Sequence, residues 1–375
     1  MKLLDYIKEV QYDSLLDLDL TPPDLLALAE LSYIEFERLM KPEDSCRLSQ
    51  LAPFFQKIKP NISMTKDDLL LLEKMAASKR FGNLKVRAVK QETLVEQVQQ
   101  FAAVSYQLVP NTWVIAFRGT DDSLIGWKED MHLFYSPHIP SQDQALDYLR
   151  QVLPTIPTSA KIHLVGHSKG GHLAVHAASK LKLAEQKRIQ SISTFDAPGH
   201  HDRDLLTPGY RAIQERIHRF SPRGSLVSQM LETAEEVSII ACRASTSFAQ
   251  HNPYIWQIEG HDFLLVDGYN EDSKQIKATL KEWTQHHSLK EMEDYIDTLF
   301  HLLLDADIET TTGFLQNHKG RQIKAILDNW KGLTSKERKL IWHLSLVLVS
   351  IRARHWSKGW FSHPKIRQFL SKLKK

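Results

Sequence analysis

Residues 162–171 read Ile-His-Leu-Val-Gly-His-Ser-Lys-Gly-Gly, an apolar run that meets G-x-S-x-G and passes at once into a helical stretch from His172 to Leu183. A strand before and a helix after turn this common pattern into a nucleophile elbow. The reasons are steric. A serine at the tip of so sharp a turn sits in a strained backbone conformation, so its neighbours two residues away must be small, here Gly166 and Gly170. Helix entry just after Ser168 aims free N–H groups at the site, where they can hold an oxyanion. The bland alternative is a glycine-rich turn from strand to helix with no chemistry.

The surroundings extend the same pattern. Pro22-Pro23 opens an amphipathic helix that runs toward Phe36, and Asp67–Met75 begins a second. Leu84–Val89, Phe101–Val109 and Thr112–Phe117 read as strands punctuated by Gly82-Asn83 and Pro110-Asn111. The order then becomes helix (Gln142–Leu153), strand (Lys161–Val165), helix (Gly171–Leu183) and strand (Ile189–Phe195). It continues with strand Arg216–Phe220, helix Leu226–Ala234 and strand Glu236–Cys242. Strands alternating with helices predict an α/β fold with a largely parallel central sheet and right-handed crossovers.

After about Tyr269 the strand signals stop, and helical stretches follow: Ile276–His286, Lys290–Leu304, Gln322–Trp330 and Ser335–Ala353. The expectation is one catalytic unit over residues 1–270 and a helical C-terminal region over 271–375. That region is basic. From Lys319 onward fifteen Lys and Arg oppose two acidic residues, a net +13, which leaves −10 upstream in a chain of overall charge +3. With Trp330, Trp342, Trp356, Trp360 and Phe361 interleaved, it suits peripheral contact with an anionic membrane. A solvated basic face over aromatic packing explains the same residues. No helix-turn-helix, zinc-finger or RNP-type signature accompanies the charge, so no nucleic-acid partner is expected.

The chain has 375 residues, 42% hydrophobic and 25% charged, enough for a substantial core. Met1–Val10 lacks the apolar run of a secretory signal, and Leu344–Ile351 falls far short of the ~20 residues that span a bilayer. Two cysteines, Cys46 and Cys242, make no disulfide framework. A cytoplasmic protein is expected.

A serine becomes nucleophilic only when a base takes its proton and a third group orients that base. Eighteen histidines are present. His251 follows the last main strand in the loop between Thr246 and Pro253 and is the first candidate, with His261 second. His172 and His176 stand four apart on the helix after the nucleophile, a spacing that can bind metal, but no H-E-x-x-H accompanies them, and neither metal nor organic cofactor is expected. For the acid, Asp196 leaves the carboxyl end of Ile189–Phe195, the reactive rim of such a sheet; its ordinary reading is a turn cap. Asp202, Asp204 and Glu232 are the competitors. An oxyanion hole needs two donors: the N–H of Lys169 and, at the end of Trp113–Phe117 beyond a kink at Gly119, that of Thr120.

Ala116–Asp130 (A-F-R-G-T-D-D-S-L-I-G-W-K-E-D) and Val165–Ala174 (V-G-H-S-K-G-G-H-L-A) resemble the class 3 lipases, which carry F-R-G-[ST], then W-x-x-D, then G-H-S-x-G-[GA]. The likeness covers roughly residues 80 to 260. The chain as a whole looks like a bacterial branch of that family, in which D-A-P-G ends the strand after the elbow and Q-H-[ND]-P-x-x-W follows, as in Gln250–Trp256. The resemblance implies an α/β-hydrolase fold, His251 as base, oxyanion N–H groups on Thr120 and Lys169, and structural roles for Arg118, Trp127 and Asp130. Two departures stand out. Class 3 lipases usually have Gly where Asp196 stands, and their acid falls later, near 223–227, where this chain has Ser225. Asp196 resembles instead the acid of the pancreatic-type lipases, at a similar strand end.

The function expected is a serine hydrolase acting on acyl, chiefly lipid ester, substrates through a Ser168–His251–Asp196 triad. The alternative is a non-hydrolytic scaffold docking on anionic membrane through its basic tail. Residues 121–135 suit a lid, an acyl-pocket wall or an ordinary amphipathic helix.

Overall fold

Strand β4 (Thr112–Phe117) shows how the sequence writes its sheet. Val114 and Ala116 enter one apolar core while Trp113, Ile115 and Phe117 enter the other, as the two-residue period of a strand requires. The computed structural model describes residues 1–306 except 17, together with 308, 310 and 320–355. Its main sheet has eight strands in sequence order: β1 (Ser45–Arg47), β2 (Lys85–Leu94), β3 (Gln99–Val109), β4, β5 (Lys161–His167), β6 (Ile189–Phe195), β7 (Ile217–Pro222) and β8 (Val237–Ile240). β1 to β4 pair antiparallel, and β4 to β8 pair parallel.

That order decides where the helices go. Each parallel crossover steps to the next strand in the same direction, so right-handed connections stack on one face. There α6 (Pro140–Val152) and α7 (Lys169–Lys180) bury Ala145, Tyr148 and Leu149, and Leu173, Ala174 and Ala177, against β4, β5 and β6. The opposite face is covered from the N-terminus by α1 (Leu3–Glu9), α2 (Pro22–Glu30) and α4 (Lys66–Ala77); α3 (Leu48–Phe55) adds Leu48, Leu51 and Phe55. Thr21 caps α2, with Asp24 closing the capping box. A mostly parallel sheet with helices on both faces, plus helices after residue 270, is the α/β-hydrolase architecture expected.

Helix α5 (Leu124–Tyr135) lies between the sheet and the C-terminal helices α12 (Glu271–Gln285), α13 (Leu289–Leu304), α14 (Gly320–Gly332) and α15 (Ser335–His355). Leu124, Phe134 and Tyr135 share a third core with Trp283, Met292, Ile296, Phe300 and Leu344. This helix is therefore covered on its outer side and is not a free lid. No described helix is long and apolar enough to cross a membrane. The basic and aromatic residues from 356 onward lie outside the described residues.

Two expected elements differ. The helix at Leu226–Ala234 is a single turn, Val227–Gln229, because residue 199 donates to Met230 O and His200 and Glu232 exchange backbone hydrogen bonds, holding the following residues extended. The strand at Tyr254–Ile258 is a turn over Pro253–Ile255 followed by β9 (Ile258–Glu259), paired with β10 (Asp262–Phe263). Pro253 brings a fixed φ suited to the first residue of such a turn, and Asn252 caps it.

Candidate active site

The site grows from the carboxyl edge of the sheet. β4, β5, β6 and β7 end in register, with Phe117 beside Gly166, His167 beside Phe195, and Phe195 beside Phe220, so the residues that follow them converge. Ser168 follows β5 with φ of 55° and ψ of −133°, a strained conformation for a side-chain-bearing residue. Its N–H donates to Phe195 O at 2.9 Å, which locks the turn. A Cβ on Gly166 would overlap the backbone of Gly170, and one on Gly170 would overlap Phe117 O. No larger residue fits either place. α7 begins at Lys169, so the first N–H groups of the helix lack intrahelical acceptors beside Ser168.

His251 Nε2 lies 3.0 Å from Ser168 Oγ, and His251 Nδ1 lies 2.7 Å from Asp196 Oδ2. Asp196 is fully buried with φ of 44°. Its N–H donates to Phe220 O, and its Oδ1 accepts from Ser221 Oγ at 3.3 Å and from Ser225 Oγ. Ser225, at the place where the sequence resemblance leads one to expect an acid, thus donates to the Asp196 carboxylate instead. His251 caps a short helix, α11 (Ser247–Gln250), whose Gln250 accepts from Gly224 N and from Trp256 Nε1. His167, the residue just before the elbow serine, donates from Nε2 to His251 O at 3.1 Å, and its ring stacks on His251 at 4.5 Å. Burial holds the His167 imidazole well below its usual pKa, so it packs as a neutral ring. The other candidates sit elsewhere: His261 edges against Tyr6, Asp204 pairs with Lys180, and Glu232 pairs with Lys277 and Lys281.

The strand end after β4 approaches Ser168 closely. A Cβ on Gly119 would lie 2.6 Å from His167 O and 3.1 Å from Ser168 Cβ, so only glycine admits Thr120 to this position. Thr120 Oγ1 donates to Asp130 Oδ1 at 2.7 Å. Burial pushes the Asp130 carboxyl up to about 6 against the opposing pull of Lys169. The Lys169 side chain is fully buried: its Nζ donates to Glu129 Oε2 at 2.6 Å, Gln100 O at 2.8 Å and Gln100 Oε1 at 3.1 Å. Glu129 also accepts from Gln100 N and from the N–H and Oγ of Ser141. The adjacent carboxylates of α5 therefore each hold one of the two residues expected to form the oxyanion hole. Sequence reading missed Glu129, His167 and the Lys169 side chain, since nothing local marks a partner forty residues away. The Lys-Glu-Asp run after Trp127 was the available signal.

His172, His176 and His200 place one ring nitrogen each within 4.8 Å of the others, so the helical spacing of the first two does gather a third. Their rings stack, however: His172 lies over His200 at 4.2 Å and 23°, and over His176 at 6.1 Å and 22°. Metal ligands must point in-plane lone pairs at one ion, and near-parallel stacked rings do not. His172 is moreover committed at both nitrogens, to Gly199 O at 2.7 Å and to the Gln142 amide at 2.9 Å. Burial pushes His172 down to about 3 and His176 to about 2. Stacked neutral rings are a packing device.

Beside His251 opens a cavity of 370 Å³, with Thr120, His167, Tyr33, Phe248 and Tyr254 also among its lining. Trp127 of α5 stacks on Phe248 at 5.9 Å.

A family model described as Mbeg1-like matches residues 75–301, a span that contains Ser168, Asp196, His251, Thr120 and Lys169. No curated protein matches the chain. Among solved structures, it is similar to M37 lipase (20% identity, TM-score 0.37, covering 56% of this chain and 69% of that one). It is also similar to the native Rhizomucor miehei lipase propeptide complex (15%, 0.38, covering 61% and 74%) and to the lipase from Rhizopus microsporus var. chinensis (15%, 0.36, covering 67% and 84%).

Proposed function

The chain belongs to the Mbeg1-like family, and from its site we propose that it is a serine hydrolase of acyl esters. One observation carries the reading: a strained serine at a helix N-terminus, 3.0 Å from an imidazole whose far nitrogen lies 2.7 Å from a buried carboxylate. In this reading Ser168 Oγ attacks the acyl carbonyl carbon while His251 Nε2 takes its proton. Asp196 keeps the other imidazole proton on Nδ1 and stabilises the imidazolium. The N–H groups of Thr120 and Lys169 hold the oxyanion. His251 then protonates the departing alkoxide, leaving an acyl-Ser168 ester, and the cycle repeats with water as nucleophile. No step calls for a metal or an organic cofactor. The class 3 pattern of Ala116–Asp130 and Val165–Ala174 favours lipid or related carboxylic esters. Residues 1–270 carry the chemistry, and the described helices after 270 support α5 from outside.

The test is hydrolysis of a graded series of p-nitrophenyl esters. Ser168→Ala should abolish turnover, His251→Ala should do nearly the same, and Asp196→Asn should cost about 10⁴-fold in kcat. Turnover indifferent to all three substitutions would defeat the reading.

A further inference from the structure

The cavity beside the triad has a charge character that the triad does not need. Glu30, Asp67, Asp68, Asp121 and Asp122 line it, and no Lys or Arg does. Among the described residues Glu30, Asp67, Asp68 and Asp121 have no Lys or Arg within salt-bridge distance; Arg118, close by in sequence, bonds Gln91 on the sheet. The partners of these acids are neutral: Tyr254 and Thr65 hydroxyls on Asp68, Ser63 Oγ at 3.2 Å and Ser123 N on Asp121.

Glu30 gives the second observation. It is 97% buried at the end of α2, and its Oε1 has no hydrogen-bond partner, with His167 Nδ1 3.2 Å away but out of alignment. An unsatisfied buried carboxyl is costly and calls for a complement. Burial pushes the Glu30 and Asp68 carboxyls above the usual carboxylate range. Tyr33, Tyr254 and Phe248 line the same cavity. Acids with aromatic faces recognise organic cations. An inorganic ion is a poor occupant, because among the described residues no three of these carboxylates bring oxygens within 4.8 Å of one another. They surround a volume instead of converging on a point.

We infer that the hydrolase takes acyl esters carrying an ammonium group near the scissile bond, the cation seated among Glu30, Asp67, Asp121 and the aromatic walls. This rests on the serine-hydrolase reading of the same site. It also predicts exclusion of anionic substrates, since like charge in a cleft repels them.

Three butyrate esters of matched shape test it: the choline ester, its neutral isostere with tert-butyl in place of trimethylammonium, and the isethionate ester, which ends in a sulfonate. We expect kcat/KM for the cation to exceed the neutral ester by about tenfold or more, with the anion slowest and the gap narrowing as salt rises. Asp67→Asn and Asp121→Asn should each lower the cation-to-neutral ratio. Ser168-dependent turnover of all three at similar rates, or a ratio that both variants leave intact, overturns the cation specificity alone. No turnover of any ester, with Ser168 inert to a fluorophosphonate, overturns the hydrolase reading and this one with it.

Discussion

At the scale of single residues, the candidate triad combines what the chain displays locally with what only the fold reveals. Ser168 was legible because its strain needs Gly166 and Gly170, and both close approaches are present. Asp196 and His251 were legible from their positions after strand ends. Ser225 was legible only as the missing acid; its donation to Asp196 Oδ1 emerges from the structure. That bond yields a prediction. Ser225→Ala leaves a buried carboxylate with one fewer donor, a loss of about 1–3 kcal/mol, and lets Asp196 shift relative to His251. The expected result is a kcat reduced about tenfold with KM little changed, measured on any turned-over ester. An unchanged kcat would mean that Ser221 and the Phe220 backbone suffice to hold the acid. Glu30 and His167 were not legible, because their proximity joins residues 137 apart in sequence with no periodicity to announce it.

At the scale of elements, β3 to β7 were readable from alternation and apolar runs, and α6 and α7 from helical spacing. The misread segments are those where tertiary pairing overrode local pattern: 226–234, drawn into backbone pairing with His200, and 254–258, turned by Pro253. Helix α5 is the element that the sequence left most open. It reads as a lid, a pocket wall or an ordinary amphipathic helix, and it is clamped inward by Glu129 and Asp130 and outward by the C-terminal core. The Lys169–Glu129 pair is fully desolvated, and removing one member of such a pair costs about 3–5 kcal/mol by stranding the other charge. Urea unfolding should therefore show Lys169→Met and Glu129→Gln each strongly destabilising. The double variant should lose less than their sum, with a coupling above about 1 kcal/mol. Additive losses would mean that Glu129 is held by Gln100 and Ser141 alone.

At the scale of the whole molecule, the sequence suggested an appended helical region, and the structure ties that region to the site. Ser273 Oγ in α12 donates to Ser225 O at 2.5 Å, and Asn270 N donates to Arg223 O at 2.9 Å, so α12 supports the loop that supports Asp196. The molecule also carries a pH dependence. His167, His172, His176 and His200 are buried with pKa values lowered by desolvation, to about 3 for His172 and about 2 for His176. A group depressed in the folded state binds its proton more readily when unfolded. Its stability contribution is present above the unfolded value near 6.5 and is lost as pH falls toward the folded one, by up to about 1.4 kcal/mol per pH unit for each histidine. Tm should be level near neutrality and drop progressively below about pH 6.5, and His176→Leu should flatten the fall. A Tm constant down to about pH 4.5 would contradict the neutral stack.

If Ser168 is an activated nucleophile, a fluorophosphonate labels it covalently, and peptide mass spectrometry locates the adduct. A single adduct is expected on Ser168, lost in Ser168→Ala, falling steeply in His251→Ala and less steeply in Asp196→Asn. A folded protein that takes no label, or takes it on another serine, would contradict it.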